Sequence, residues 1–218
     1  MNEQRPLFIF DLDHTLFHCN SSFHFGRYLF HQNHLSVSKV LYCIGCYACH
    51  RYGGMSVGKL HEKTLACIFQ ATPTQILRER VNFFLDSHIN EMLNPTIMNQ
   101  LEECKKRGVH TLLLSSSPDF LVGPIAERLG FNQWRATEYL SCEKQNISHL
   151  GLVITGEVKA QLANEFRKSL GISVEKITAL TDSFLDIPLL RVVGKAIAVN
   201  PDKLLLREAK KEGWEILS

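Results

Sequence analysis

The stretch Leu7-Phe8-Ile9-Phe10-Asp11-Leu12-Asp13-His14-Thr15 organises the chain. Four apolar residues run straight into two carboxylates spaced two apart, with a hydroxyl two further on. Leu7 to Phe10 reads as a strand buried on both faces, the kind a parallel sheet uses. In open α/β sheets, chemistry gathers just past the carboxyl ends of such strands, where Asp11 and Asp13 stand. Two carboxylates this close repel, and one holds its proton unless a cation intervenes. The pair therefore asks for a metal, a proton, or both. Asp also ends strands and caps turns, so the remaining motifs must decide.

Working outward, residues from Cys19 to about His110 carry a helical pattern. Ser36 and Ser38 both offer a cap for a helix whose Lys39 to Cys49 stretch is apolar almost all round. Ser56 opens a helix running to Phe69. Thr72-Pro73-Thr74-Gln75 reads as a capping box with proline at the first helical position. Asn94-Pro95 opens another helix, with Ile97, Leu101 and Cys104 on one face and Gly108 closing it. The rhythm then changes to alternating strands and helices. Thr111 to Leu114 is a strand ending at Ser115-Ser116-Ser117-Pro118. Ser117 and Pro118 start a helix that ends at Gly130. Trp134 to Ile154 holds short β or irregular pieces. Gly156 to Gly171 is a helix striped by Val158, Leu162, Phe166 and Leu170. Ile177 to Thr181 and Lys195 to Val199 are strands with a short helix, Ser183 to Val193, between them. Asn200-Pro201 caps a last helix ending at Gly213, before a final strand, Trp214 to Leu217. This alternation predicts an α/β fold with a mostly parallel sheet. The helical block reads as an insert that folds over the carboxyl edge of that sheet.

Composition excludes several classes. At 218 residues, 45% hydrophobic and 21% charged, the chain is ordinary for a globular protein. Its net charge of +2 supplies no field for nucleic acid. Met1 to Pro6 is polar and has no secretory-signal pattern. The longest uncharged apolar run, Val40 to Cys49, is half the roughly 20 residues a bilayer span needs. The seven cysteines are read as reduced thiols of a cytoplasmic protein. Cys46-Tyr47-Ala48-Cys49-His50 matches the haem-attachment string, but no export signal accompanies it. Cys43, Cys46 and Cys49 recur every third residue of an apolar helix, where Cys acts as a small hydrophobe. No second Cys/His pair follows at zinc-finger spacing.

Three later positions supply what Asp11 and Asp13 need. Ser115 lies at a strand end with a helix following, so backbone amides there are free for an anion. Ser117 is the natural cap of that helix. Lys159 sits in the first turn of the Gly156 helix, where a cation is disfavoured and a plain surface role is the weaker explanation. Asp182 follows a strand, with Asp186 four residues on. Four Asp, one Lys and hydroxyls suit one Mg²⁺ and one phosphoryl group, since Mg²⁺ takes few protein carboxylates and shares its shell with phosphate oxygens.

D-x-D-x-T, a strand with Ser, then Lys, then D-x-x-x-D resembles the haloacid dehalogenase (HAD) superfamily of phosphatases. The finer match is its phosphoserine-phosphatase-like branch, subfamily IB, with a helical C1 cap between the first two motifs. Ser115 to Val122 with Pro124-Ile125-Ala126 resembles that branch's second motif, Thr181 to Leu190 its fourth, and Ala198 to Asp202 also fits. The resemblance covers residues 7 to 18 and 108 to 217. It implies a three-layer Rossmann-like core, residues 1–18 and 108–218, and a helical cap, residues 19–107. It implies Asp11 as nucleophile, forming an aspartyl-phosphate, and Asp13 as acid and base. Thr15, Ser115, Ser116 and Lys159 would bind the substrate phosphate. Asp11, the Asp13 carbonyl and Asp182 would hold Mg²⁺, with Asp186 behind them. The expected partner is a small phosphorylated substrate.

The chain departs from the pattern in places. Ser116-Ser117 replaces two glycines of phosphoserine phosphatases. Asn20 stands where they carry a Glu that pairs with the serine ammonium, which disfavours phosphoserine. Thr181 replaces a common Gly, and its side chain is expected to point away from the metal. His14 replaces a small residue and is expected to pack. Phe23, Phe25, Tyr28, Phe30 and the Lys39 to Cys49 face make the cap unusually apolar. Core burial is the simpler reading; a lipid contact flanked by Lys39 and Arg51 is the sharper one, similar to phosphatidylglycerophosphatases. A phospho-accepting signalling module is the alternative from another class, but Asp13 and a large cap are superfluous there. A non-catalytic partner-binding relative is opposed by the complete motif set.

Overall fold

The computed structural model describes residues 5–70, 72–143 and 145–217. Residues 1–4 of the polar amino-terminal run lie outside the described residues. The sheet is six-stranded, in order β3-β2-β1-β6-β7-β8, and every pair in it is parallel. Its strands are β1 (Leu7–Phe10), β2 (His110–Pro118), β3 (Gln133–Thr137), β6 (Ile177–Thr181), β7 (Lys195–Val199) and β8 (Glu215–Leu217). β4 (Tyr139–Ser141) and β5 (Ile147–Leu150) pair antiparallel as a separate ribbon.

The sheet is buried on both sides because its strands are apolar on both sides. Phe10, Leu113 and Leu180 face one core; Ile9, Leu112, Leu114 and Ala179 face another. The second core is closed by α7 (Gly156–Ser169), α8 (Ile187–Leu190) and α9 (Lys203–Glu212), through residues such as Leu162, Phe166, Leu189 and Leu205. The first is closed by α5 (Pro95–Lys106) and α6 (Asp119–Arg128), and it continues into α1 (Ser21–His31) and α4 (Thr74–Met92). The expected face of α5, Ile97, Leu101 and Cys104, is buried there, Asn94 caps it, and Gly108 leaves it at φ +62°. α2 (Val37–Tyr52) differs from all of these. It buries Cys46 alone and leaves Val37, Leu41, Tyr42, Ile44, Tyr47 and Tyr52 exposed.

Several element ends fall elsewhere than the sequence predicts, each time because a tertiary contact outbids a local signal. α4 starts at Thr74, not inside a Thr72 capping box, and Pro73 precedes it. The carbonyl of Thr72 is taken by Ile147 N and that of Gln145 by Thr74 N, which ties this corner to the β4–β5 ribbon. β2 runs on to Pro118, so α6 begins only at Asp119 and Ser117 caps nothing. Asp202, not Asn200-Pro201, caps α9, accepting from Leu204 N and Leu205 N. Ser56 does cap its helix, α3 (Val57–Thr64), and a wider turn, Leu65–Phe69, continues it. The α7 stripe buries Leu162 and Phe166 and leaves Leu170 at the surface. Among the described residues no disulfide joins any of the cysteines. Among the described residues no helix is long and apolar enough to cross a membrane.

One close approach sets the position of α7. A β-carbon at Gly156 would collide with the Leu185 backbone carbonyl. Gly156→Ala should therefore push α7 off the Leu185–Asp186 turn and cost about 1–3 kcal/mol, as overpacking does. Thermal melting of the variant checks this; an unchanged midpoint would contradict it.

Candidate active site

β1 ends at Phe10, and the chain leaves it in one wide turn. Asp11 N is still held by the β6 carbonyl of Leu180, while Leu16 N and Phe17 N reach back to the Asp11 and Leu12 carbonyls. This turn presents Asp11, Asp13 and Thr15 over the carboxyl edge of the sheet. β2 and β6 flank β1, so their ends bring in Ser115–Ser117 and Asp182.

At the centre is a buried ammonium. Lys159 Nζ donates to Asp11 Oδ1 at 2.8 Å and to Asp186 Oδ2 at 2.6 Å. All three side chains are less than a tenth exposed. Burial pulls the Lys159 ammonium down, but Asp11 and Asp186 outweigh it and hold it above its usual range. Burial pushes the Asp11 carboxyl up against the pull of Lys159, with Asp186 adding to the rise. Asp182 is likewise raised, by burial and then by Asp11 and Asp186. Three carboxylates thus share one lysine, and the group is short of positive charge. That deficit fits a divalent cation. Among the described residues no three His, Cys, Asp or Glu side chains stand together as metal ligands. Mg²⁺ does not need three, because it completes its shell with water and phosphate oxygens.

The other sequence-predicted residues are held by their own partners. Asp13 Oδ1 accepts from Ser21 N at 2.6 Å, and Oδ2 accepts from Ser117 Oγ at 2.6 Å. Ser115 is buried, and its Oγ accepts from Ser117 N at 3.1 Å. Ser116 is half-buried, and its carbonyl accepts from Thr137 Oγ1 at 2.8 Å. Thr15 Oγ1 is buried with no hydrogen-bond partner among the described residues, a hydroxyl waiting for an acceptor. Because α6 begins at Asp119, its free amides do not follow Ser115 directly as the sequence predicts. Asp119 Oδ1 also takes Phe120 N.

Four residues hold the site in ways the sequence does not announce. Ser117 is the first, since its proton is committed to Asp13; Ser22 Oγ, 3.0 Å away, donates to Ser117 in turn. Thr181 does not point aside: its Oγ1 donates to Asp186 Oδ2 at 2.7 Å and accepts from Ser183 N. Asp202 pins the Asp182 loop, with its N on the Asp182 carbonyl and its Oδ2 on Phe184 N. His61, from α3, is buried, with Nδ1 2.9 Å from Tyr139 Oη and the Ser116 backbone beside it. His14 does not pack: it is exposed, at φ +57°. Asn20 caps α1 through Phe23 N and reaches only a long 3.5 Å contact with Asp13 Oδ2.

Against known proteins, the family model described as haloacid dehalogenase-like hydrolase matches residues 8–191. A probable phosphatase of Mycobacterium tuberculosis is 31% identical over 64% of the chain, which spans only half of that protein's length. A histidinol-phosphatase of Neisseria meningitidis is 27% identical over 98% of the chain and 99% of its own. A Bordetella pertussis structure of unknown function superposes with TM-score 0.88 at 22% identity, covering 99% of both chains. A phosphoserine phosphatase, solved as a phospho-aspartyl intermediate analogue, superposes at 0.70 with 19% identity, covering 99% of this chain and 93% of its own.

Removing the lysine should leave Asp11 and Asp186 facing each other in a buried space. Lys159→Met is expected to lose about 3–5 kcal/mol, the cost of breaking a buried pair from one side. The sign follows from the raised carboxyls. A folded pKa above the unfolded value stabilises at low pH and is lost as pH rises through it. Denaturant melts of the variant in metal-free buffer should therefore show a deficit that is largest above neutrality and shrinks as the pH falls. A pH-independent deficit would contradict this account.

Proposed function

The chain belongs to the haloacid dehalogenase-like hydrolase family, and we propose that it is a Mg²⁺-dependent phosphomonoesterase. Its substrate is a small phosphorylated metabolite, and turnover passes through an aspartyl-phosphate on Asp11. The observation that carries this reading is the pairing of two differently dressed carboxylates. Asp11 is tied to Lys159, and Asp13, two residues on, is tied only to hydroxyl and amide donors.

Asp11 attacks phosphorus, and a P–O bond forms to its carboxylate as the bond to the leaving alcohol breaks. Asp13 gives that alcohol its proton. Water then attacks phosphorus and gives a proton to Asp13, the P–O bond to Asp11 breaks, and inorganic phosphate leaves with the Asp11 carboxylate restored. Thr15, Ser115, Ser116 and Lys159 hold the phosphoryl oxygens, where charge gathers in the transition state. The unpartnered Thr15 hydroxyl supports that role. Asp11, the Asp13 carbonyl and Asp182 would hold Mg²⁺, which supplies charge neutralisation of the phosphoryl group. Asp186 steadies Lys159 and is itself steadied by Thr181. Residues 19–107 form the cap over this edge, with α5 seating it on the sheet and His61 reaching the Ser116 turn.

Phosphoserine fits poorly as the substrate. Asn20 is spent on a helix cap and offers no carboxylate for an ammonium. The exposed α2 supports a second reading, a lipid head-group phosphatase docked through that helix, with Lys39 and Arg51 at its ends. The protein should then float with anionic liposomes, and one that stays wholly in solution would discard the second reading.

Asp11→Asn should abolish phosphate release from every monoester in a screen of phosphoamino acids, sugar phosphates, nucleotides and phospholipid head groups, with its melting profile intact. EDTA should stop the wild type and added Mg²⁺ restore it. Retained turnover in Asp11→Asn would refute the nucleophile, and full activity in chelator would refute the metal.

A further inference from the structure

The groove between α1 and α4 is built from side chains that none of this chemistry uses. Two neighbouring cavities of about 250 and 480 Å³ share Tyr28, Gln32 and His88. His24, Arg27 and His31 line the smaller one, and their spacing sets them along one side of α1. His34, beyond the end of α1, and Arg80 of α4 line the larger. Four imidazoles and two guanidiniums therefore line two pockets that meet at Tyr28, Gln32 and His88.

Counter-charge is scarce there. Glu79 lines the larger cavity, and Gln75 donates to it. The nearby carboxylate of Asp86 is turned to Arg128 instead. Neither Arg27 nor Arg80 has an ion-pair partner among the described residues. The imidazoles feel this crowding. Burial and then Arg27, His18 and His88 hold His24 below its usual range, with a weak opposing pull from Asp13; burial and Arg80 do the same to His34. His88 Nδ1 lies 3.0 Å from the Phe84 carbonyl, so it donates there and leaves Nε2 for the groove. Two unpaired guanidiniums against a single lining carboxylate raise the local concentration of anions. Guanidiniums bind phosphate and carboxylate oxygens in pairs.

We propose that this groove is a binding site for a small, multiply charged anion, held between Arg27 on α1 and Arg80 on α4 with the flanking imidazoles as further donors. Oligophosphates and polycarboxylates share the required chemistry. None of its lining residues is among those assigned to the turnover at Asp11.

Isothermal titration of the whole protein in metal-free buffer tests it, with tripolyphosphate in one arm and citrate in the other. Saturable binding in either arm is expected, and the stronger arm names the oxygen chemistry. Arg27→Gln and Arg80→Gln should each weaken it by about tenfold or more, the loss of one charge-assisted contact. Arg78→Gln, on α4 but outside the groove, should leave it unchanged. Melting curves of the three variants check that each is folded. The proposal is overturned if neither anion saturates by about 10 mM, beyond any useful affinity. It is equally overturned if either groove variant binds like the wild type, or if Arg78→Gln weakens binding as much as they do. Because no turnover is measured, these outcomes leave the phosphatase reading to its own test.

Discussion

A single buried ammonium holds this site together. Lys159 comes from a helix on one layer, Asp11 from the central strand, and Asp186 from the turn after β6. Each carboxylate would be costly in that setting without a cation, and the cation would be costly without them. The neighbouring structure follows from that constraint. Gly156 lets α7 come close enough for Lys159 to reach, and Thr181 fixes the carboxylate that receives it. Asp182 sits one residue beyond Thr181 and shares the shortage of positive charge. That shortage makes the arrangement receptive to a divalent ion.

Asp13 lives under different rules. It has no lysine; two hydroxyls in series and a helix-start amide hold it. The divergence of two carboxylates two residues apart comes from the turn between them. Extended residues at i and i+2 would share a face and a fate.

The parts of this fold legible in the sequence are those where burial is absolute. Ile177–Thr181 and Lys195–Val199 are buried through most of their length, so their apolar runs mark their limits to the residue. The Asp11 turn, Lys159 and Asp182 are legible because acids and a lysine at strand and helix ends have no cheap local excuse. Serines and threonines do have one. Ser117 before a proline looks like a cap, and only the pairing of β2 past it, to Pro118, turns its hydroxyl to Asp13. Thr72 and Asn200 mislead in the same way: their neighbours, not their own side chains, decide where the helices begin. His61 carries no signal at all. Its partners, Tyr139 and the Ser116 turn, lie far along the chain and meet it only in the fold.

The strand order has a consequence for how the molecule comes into being. β1 precedes β2 and β6 in the chain, yet it lies between them in the sheet. Asp11 and Lys159 are separated by 148 residues of chain. Pairing β1 on both edges therefore joins segments far apart in the chain, with long loops to close and a slow topology to assemble. A nascent or prematurely ended chain lacking α7 and β6 has no cation for its first acid and no second wall for its first strand. Its acidic cluster is incomplete as well as its fold, because both wait for the same late segments of the chain.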